Sequence, residues 1–208
     1  MADAPSPGHR EAGPATLPPR TVPRRSWVAN VGQWVFAYTV AWSVFCTVAL
    51  VPTVVGSEAG GVSALVAVVG WLLATVAAVA TCDEPKEPHS APRRYAVAIG
   101  MSLPGILIAV LAGLTVFLLP GLLILSVLGA PILPWLHRGS PYWQRAVLSV
   151  LGLAATAALI YSMTLSPLDW PSVEWWAVVL VLGPFVAAGV AIGALFALRT
   201  VGVPREVG

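Results

Sequence analysis

Few side chains in this sequence could do chemistry, and they sit in small groups separated by long apolar stretches. The densest ionisable group is the segment 82–94, where Asp83, Glu84, Lys86, Glu87, His89, Arg93 and Arg94 stand among Pro85, Pro88 and Pro92. Carboxylates beside a histidine are residue types that can hold a divalent metal. A metal site needs a second ligand cluster, however, and the other histidines, His9 and His137, are remote in sequence. The prolines keep this backbone extended, so the segment is expected to be a solvated linker, with no metal and no other cofactor. His137 beside Arg138 could hold a lipid phosphate or another anion, and a head-group enzyme would have to use this pair with His89 and Asp83-Glu84. Topogenic charge at a membrane boundary is the simpler reading. Ser102, Thr115, Ser126 and Ser149 lie within apolar stretches that contain no base to activate a hydroxyl as nucleophile. Their expected use is interhelical hydrogen bonding, at about 0.6 to 2 kcal/mol each. The sequence has no Walker loop, H-E-x-x-H or G-x-S-x-G.

Two aromatic groups are the other candidates. Trp34, Tyr38, Trp42 and Phe45 recur at spacings of four, four and three, which puts them on one face of a helix. Such a row could wall a site for an apolar or lipidic solute. Helix packing is the expected role, with Trp34 near the head-group belt. The second group is Asp169, Trp170, Pro171, Glu174, Trp175 and Trp176, an interfacial anchor or, more sharply, a docking surface for an extracytoplasmic partner.

The elements that position these residues follow from hydropathy and charge. Between Arg93-Arg94 and His137-Arg138 lie 42 residues without a charged side chain. About 20 helical residues cross a hydrocarbon core of about 30 Å, so this stretch is too long for one crossing and suits two. Pro120 and Gly121 stand near its middle and predict a turn at 119–121 between helices over 95–118 and 122–136. The second arm is short and carries Pro131 and Pro134, so a kinked or re-entrant form is an alternative to a full crossing. Apolar runs predict four more helices, over 31–51, 62–81, 146–165 and 175–198. The expected fold is therefore all-α, a polytopic membrane protein of six helices in three hairpins over residues 26–200. Small residues at four-residue spacing, Gly70, Ala74 and Ala78, then Gly105, Ala109 and Gly113, and the pair Gly189 and Gly193, predict close helix packing. Pro104 should kink its helix.

Composition sets the class. The chain of 208 residues is 58% hydrophobic and 10% charged, far from the surface a soluble domain of this size requires. A net charge of +2 without a basic and aromatic groove excludes a nucleic-acid partner. Cys46 and Cys82 fall at different depths, so no disulfide is expected. Ten arginines against one lysine, with heavy use of Ala, Val, Gly, Pro and Trp, resembles the composition of proteins from GC-rich bacteria. Residues 1–25, with six prolines and no apolar periodicity, are expected to be a disordered tail, and 201–208 a short one. Arg24-Arg25 superficially resembles a twin-arginine export signal but is better read as an anchor for the first helix. With six crossings, all eleven basic residues fall on one side together with both termini, which the positive-inside rule assigns to the cytoplasm of a cell membrane. No Asp, Glu, Lys, Arg or His falls inside an expected span, which weighs against a proton-coupled pump. The functional expectation is a non-enzymatic accessory subunit or partner-binding component, in contact with lipid and with a protein partner or a second copy. A transporter or binder of an apolar or lipidic solute is the alternative.

Overall fold

In the computed structural model, residues 27–52, 60–82, 91–115, 118–165 and 170–201 are described, and all of their regular structure is helical. The order is α1 (Trp27–Ala49), α2 (Gly60–Thr81), α3 (Ala91–Gly113), α4 (Leu118–Val127), a 3-10 turn η1 (Leu133–Leu136), α5 (Tyr142–Leu165) and α6 (Trp170–Val201). Among the described residues four apolar segments are long enough to cross a membrane: Val28–Ala49, Ala64–Thr81, Ala91–Gly113 and Val181–Leu198. The expected tail at 1–25, all of the expected tail at 201–208 except Val201, the acidic linker with Asp83, Glu84 and His89, and the side chains of Trp170, Trp175 and Trp176 lie outside the described residues.

The centre of the bundle is α1. It packs on α2, α6, α5 and η1, and from Phe36 to Ser43 every residue is buried. The most extensive contact lies elsewhere, between α3 and α6. Ala98, Ser102, Gly105, Ala109 and Gly113 form the buried face of α3, a helical stripe of small residues. A Cβ added at Gly105 would lie 2.6 Å from the carbonyl oxygen of Gly189, and one at Gly193 would lie 2.6 Å from that of Ala98. The two backbones touch because neither helix has a side chain there. The pairs Ala98 with Gly193, Gly105 with Gly189 and Gly113 with Phe185 make α3 and α6 antiparallel.

Outside this core the pattern inverts. Leu65, Val68, Val69, Leu72, Leu73 and Val76 of α2 are exposed, as are Leu103, Leu107, Ile108 and Leu111 of α3. Small residues inside and large apolar ones outside suit a protein whose surroundings are themselves apolar, where close backbone approach rather than escape from water drives association.

Two expectations are corrected. Pro120 and Gly121 do not form the turn after α3, because both lie within the first two turns of α4. Proline fits there because amides at the start of a helix have no intrahelical partner to lose. The chain instead leaves α3 at Gly113, where Thr115 donates its amide to the Ala112 carbonyl and the Leu118 amide reaches the Thr115 carbonyl at 3.0 Å. The helix expected over 122–136 is also not continuous. It stops at Val127, turns, and resumes as η1, with the amides of Ile132 and Leu133 both donating to the Gly129 carbonyl. Pro131 and Pro134 explain the break, since each lacks an amide and clashes with the carbonyl four residues back. The ten residues of α4 extend about 15 Å, half of a hydrocarbon core.

Helix pairing along the chain also departs from three self-packed hairpins. While α1 and α2 pack closely, α3 shares little contact with α4, and α5 shares little with α6 among the described residues.

Candidate functional site

The aromatic row of α1 is drawn into the bundle. Tyr38, Trp42 and Phe45 are buried, and Trp34 is half-buried with its ring stacked on Tyr38 at 5.5 Å. The Trp42 ring lies against Gly183 of α6, where any β-carbon would collide with it. Phe45 and Val48 lie over Gly70 of α2, at 3.6 and 3.4 Å from the place a Cβ would take. Gly183 thus makes room for the Trp42 ring, while at Gly70 a Cβ would meet Val48 and Phe45 at ordinary contact distance. Ala74 and Ala78, the continuation of the Gly70 row, are buried as well.

Polar groups in the bundle are matched mostly to backbone carbonyls. The Tyr38 hydroxyl donates to the Leu122 carbonyl at 3.2 Å and meets the Ser126 hydroxyl, joining α1 to α4. Trp71 of α2 donates its indole N–H to the Ser102 hydroxyl of α3 at 3.0 Å, and that hydroxyl donates in turn to the Ile99 carbonyl at 2.7 Å. In the middle of α1 the indole nitrogen of Trp42 and the hydroxyl of Ser43 are buried without a hydrogen-bond partner.

The broken arm α4–η1 is completed by α5. Pro131 cannot donate to the Val127 carbonyl, and the Thr156 hydroxyl of α5 takes that position at 3.3 Å. Ser149, two turns earlier on α5, donates to the Pro131 carbonyl at 2.7 Å and accepts the Trp135 indole N–H at 2.7 Å. Between them Gly152 lets the two segments touch, since a Cβ there would be 2.8 Å from the Ala130 carbonyl oxygen. Residues 149, 152 and 156 share one face of α5, at spacings of three and four.

The most polar described cluster follows η1. His137 is buried, its ring stacked on Phe36 of α1 at 4.7 Å and close to Gly32. Arg145, in the first turn of α5, reaches back over the junction and donates from Nη2 to the carbonyls of Arg138 and Ser140, at 2.8 and 2.6 Å. Its Nε, the Ser140 hydroxyl and Gln144 Oε1 are buried without hydrogen-bond partners. Arg138, Tyr142 and Trp143 are exposed around it.

Among the residues singled out by sequence, the structure brings together Gly105, Ala109 and Gly113 with Gly189 and Gly193, at the α3–α6 contact. His9, His89, Asp83 and Glu84, the groups that could join His137, lie outside the described residues, and no group of three or more His, Cys, Asp or Glu that could hold a metal occurs among the described residues. Sequence reasoning missed Gly183, Thr156 and the staple made by Arg145. Only Thr156 left a trace in the sequence, as a polar residue on the face shared with Ser149 and Gly152. No family model matches this chain, and comparison with curated proteins and with solved structures finds no match.

Proposed function

We propose that the chain is a non-enzymatic multi-pass membrane protein that works as a small accessory subunit or partner-binding component of a membrane complex. The observation that carries this reading is the use made of the aromatic row. Tyr38, Trp42 and Phe45 are spent on internal packing against Gly183, Gly70 and α4, which leaves the apolar outer faces of α2 and α3 as the surface on which lipid or another subunit acts. In this reading the chain crosses a cell membrane six times, with the broken arm α4–η1 as part of the fourth crossing and both termini in the cytoplasm. Support for that orientation is the segregation of every arginine and lysine to one side. Mild extraction from the native membrane followed by mass spectrometry tests it. A protein recovered in fixed proportion is the expected result, and recovery of the chain alone, or only with a small molecule, refutes it.

A second reading, a binder of a small solute, is favoured by one observation: Trp42 and Ser43 hold unpartnered hydrogen-bonding groups deep in the bundle. Trp42→Phe retains most of the ring and removes the N–H. A bound solute should then be lost while the fold survives, whereas unchanged solute content removes this alternative.

A further inference from the structure

We propose that the junction between η1 and α5, residues 137–145, is a binding site for a phosphate group at the membrane–water boundary. Arg145 is the centre of the argument. Its Nη2 is committed to the Arg138 and Ser140 carbonyls, both neutral. Nε is sealed from solvent without a partner. Nη1 also makes no hydrogen bond among the described residues, yet it is not one of the sealed atoms, so it is open to an incoming ligand. A half-buried guanidinium whose hydrogen bonds go to neutral carbonyls keeps its charge available to an anion.

Three further features converge on the same place. Ser140 is only 3% exposed, and its hydroxyl has no partner, although its own carbonyl is held 2.6 Å from Arg145 Nη2. Ser140 therefore adds a buried hydroxyl without a partner to the junction that Arg145 spans. Next, α5 begins here: the Pro141 carbonyl accepts the amides of Gln144 and Arg145, and the amides of Tyr142 and Trp143 start the helix, where no intrahelical acceptor exists. The positive end of a 24-residue helix is thus added to two arginines. Finally, Tyr142 and Trp143, 73% and 64% exposed, flank the junction with the side chains that settle at head-group depth, where phosphate is the abundant anion.

The phosphate could belong to a phospholipid head group or be free in solution, and one experiment separates these sources. The full-length protein is purified in a neutral detergent, stripped of lipid and titrated with phosphatidylglycerol in nanodiscs and, separately, with inorganic phosphate. Binding is followed by native mass spectrometry and by phosphorus NMR. Arg145→Gln and Arg138→Gln are compared with Arg93→Gln, which removes an exposed arginine on another helix. Loss of one charge-assisted contact predicts affinity weaker by about 10- to 100-fold in the first two variants and little change in the third. Binding to nanodiscs alone identifies the lipid head group, and binding to inorganic phosphate as well identifies a free anion. The proposal is overturned if Arg138→Gln binds as the unaltered protein does, or if Arg93→Gln weakens binding equally, which would mean diffuse charge attraction. Arg138→Gln keeps the test decisive if Arg145→Gln does not fold, because the staple uses only the Arg138 backbone.

Discussion

Gly100 and Gly105 lie five residues apart in α3, and the same substitution at each should have different consequences. A Cβ at Gly100 meets nothing within 4 Å, whereas at Gly105 it would stand 2.6 Å from the Gly189 carbonyl oxygen and 3.1 Å from the Gly189 Cα. Ordinary carbon–oxygen contact requires about 3.4 Å, so Gly105→Ala forces α3 and α6 apart by about 0.8 Å. A gap of that size forfeits a quarter to a half of each dispersion contact along the seam. The overpacking cost of inserting one methyl into a filled contact is about 1 to 3 kcal/mol. Alanine also favours a helix interior over glycine by about 1 kcal/mol, a gain common to both sites. Gly100→Ala should therefore stabilise the protein by up to about 1 kcal/mol, and Gly105→Ala should fall below it by about 1 to 3 kcal/mol. Equilibrium unfolding in mixed micelles, with tryptophan fluorescence as the signal, measures the difference directly because the propensity gain cancels. Equal stability of the two variants would refute the claim that α3 and α6 meet backbone to backbone at this position.

Three further outcomes follow from the same contacts. Thr156→Val keeps the shape of the side chain and removes the donor to the Val127 carbonyl, and it should cost about 0.6 to 1.7 kcal/mol. Hydrogen exchange should rise over 128–136 in that variant and stay unchanged in α2. Trp71→Phe and Ser102→Ala, made singly and together, should show a coupling of about 0.6 to 1.7 kcal/mol from the 3.0 Å bond between them, and additive effects would exclude that bond. Gly113→Ala should destabilise by driving a methyl into the Phe185 ring, and Phe185→Leu should relieve it. A double variant no more stable than the sum of the single ones would show that the two residues are not in contact.

The features legible in the sequence were those that depend on one helix at a time. Apolar length shows the helices, and the spacing of Gly105, Ala109 and Gly113 shows which face of α3 can be approached. Neither reveals the partner. That Gly105 meets Gly189, more than 80 residues later, is a property of the folded bundle, and nothing local in α3 favours α6 over its sequence neighbour α4. Pro120-Gly121 misled for a physical reason. Proline is compatible both with a turn and with the first turn of a helix, and only the amide pairing at 113–118 distinguishes them. The aromatic row was visible as a row, but its meaning depended on Gly183, a glycine that carries no periodic signal of its own. Arg145 looked like topogenic charge because its partners are carbonyls, which every residue has.

The broken arm shows how these levels combine. A proline that interrupts a helix frees the carbonyl four residues back, and a freed carbonyl inside a bundle must find another donor. Pro131 frees the Val127 carbonyl, and Thr156 meets it; the Pro131 carbonyl itself is met by Ser149. Both donors lie on the face of α5 that Gly152 allows to approach, so the same three residues permit the contact and satisfy it. At its other side the arm is held to α1 by Tyr38 at Leu122 and Ser126 and by His137 on Phe36. The arm is thereby fixed from two directions along its length, and its end is delivered to the Arg145 staple as a shaped loop. The Val127 carbonyl that Pro131 frees and the carbonyl of Pro131 itself are thus both met from α5. In this way the break fixes the position of α5, and with it the geometry of the junction at 137–145.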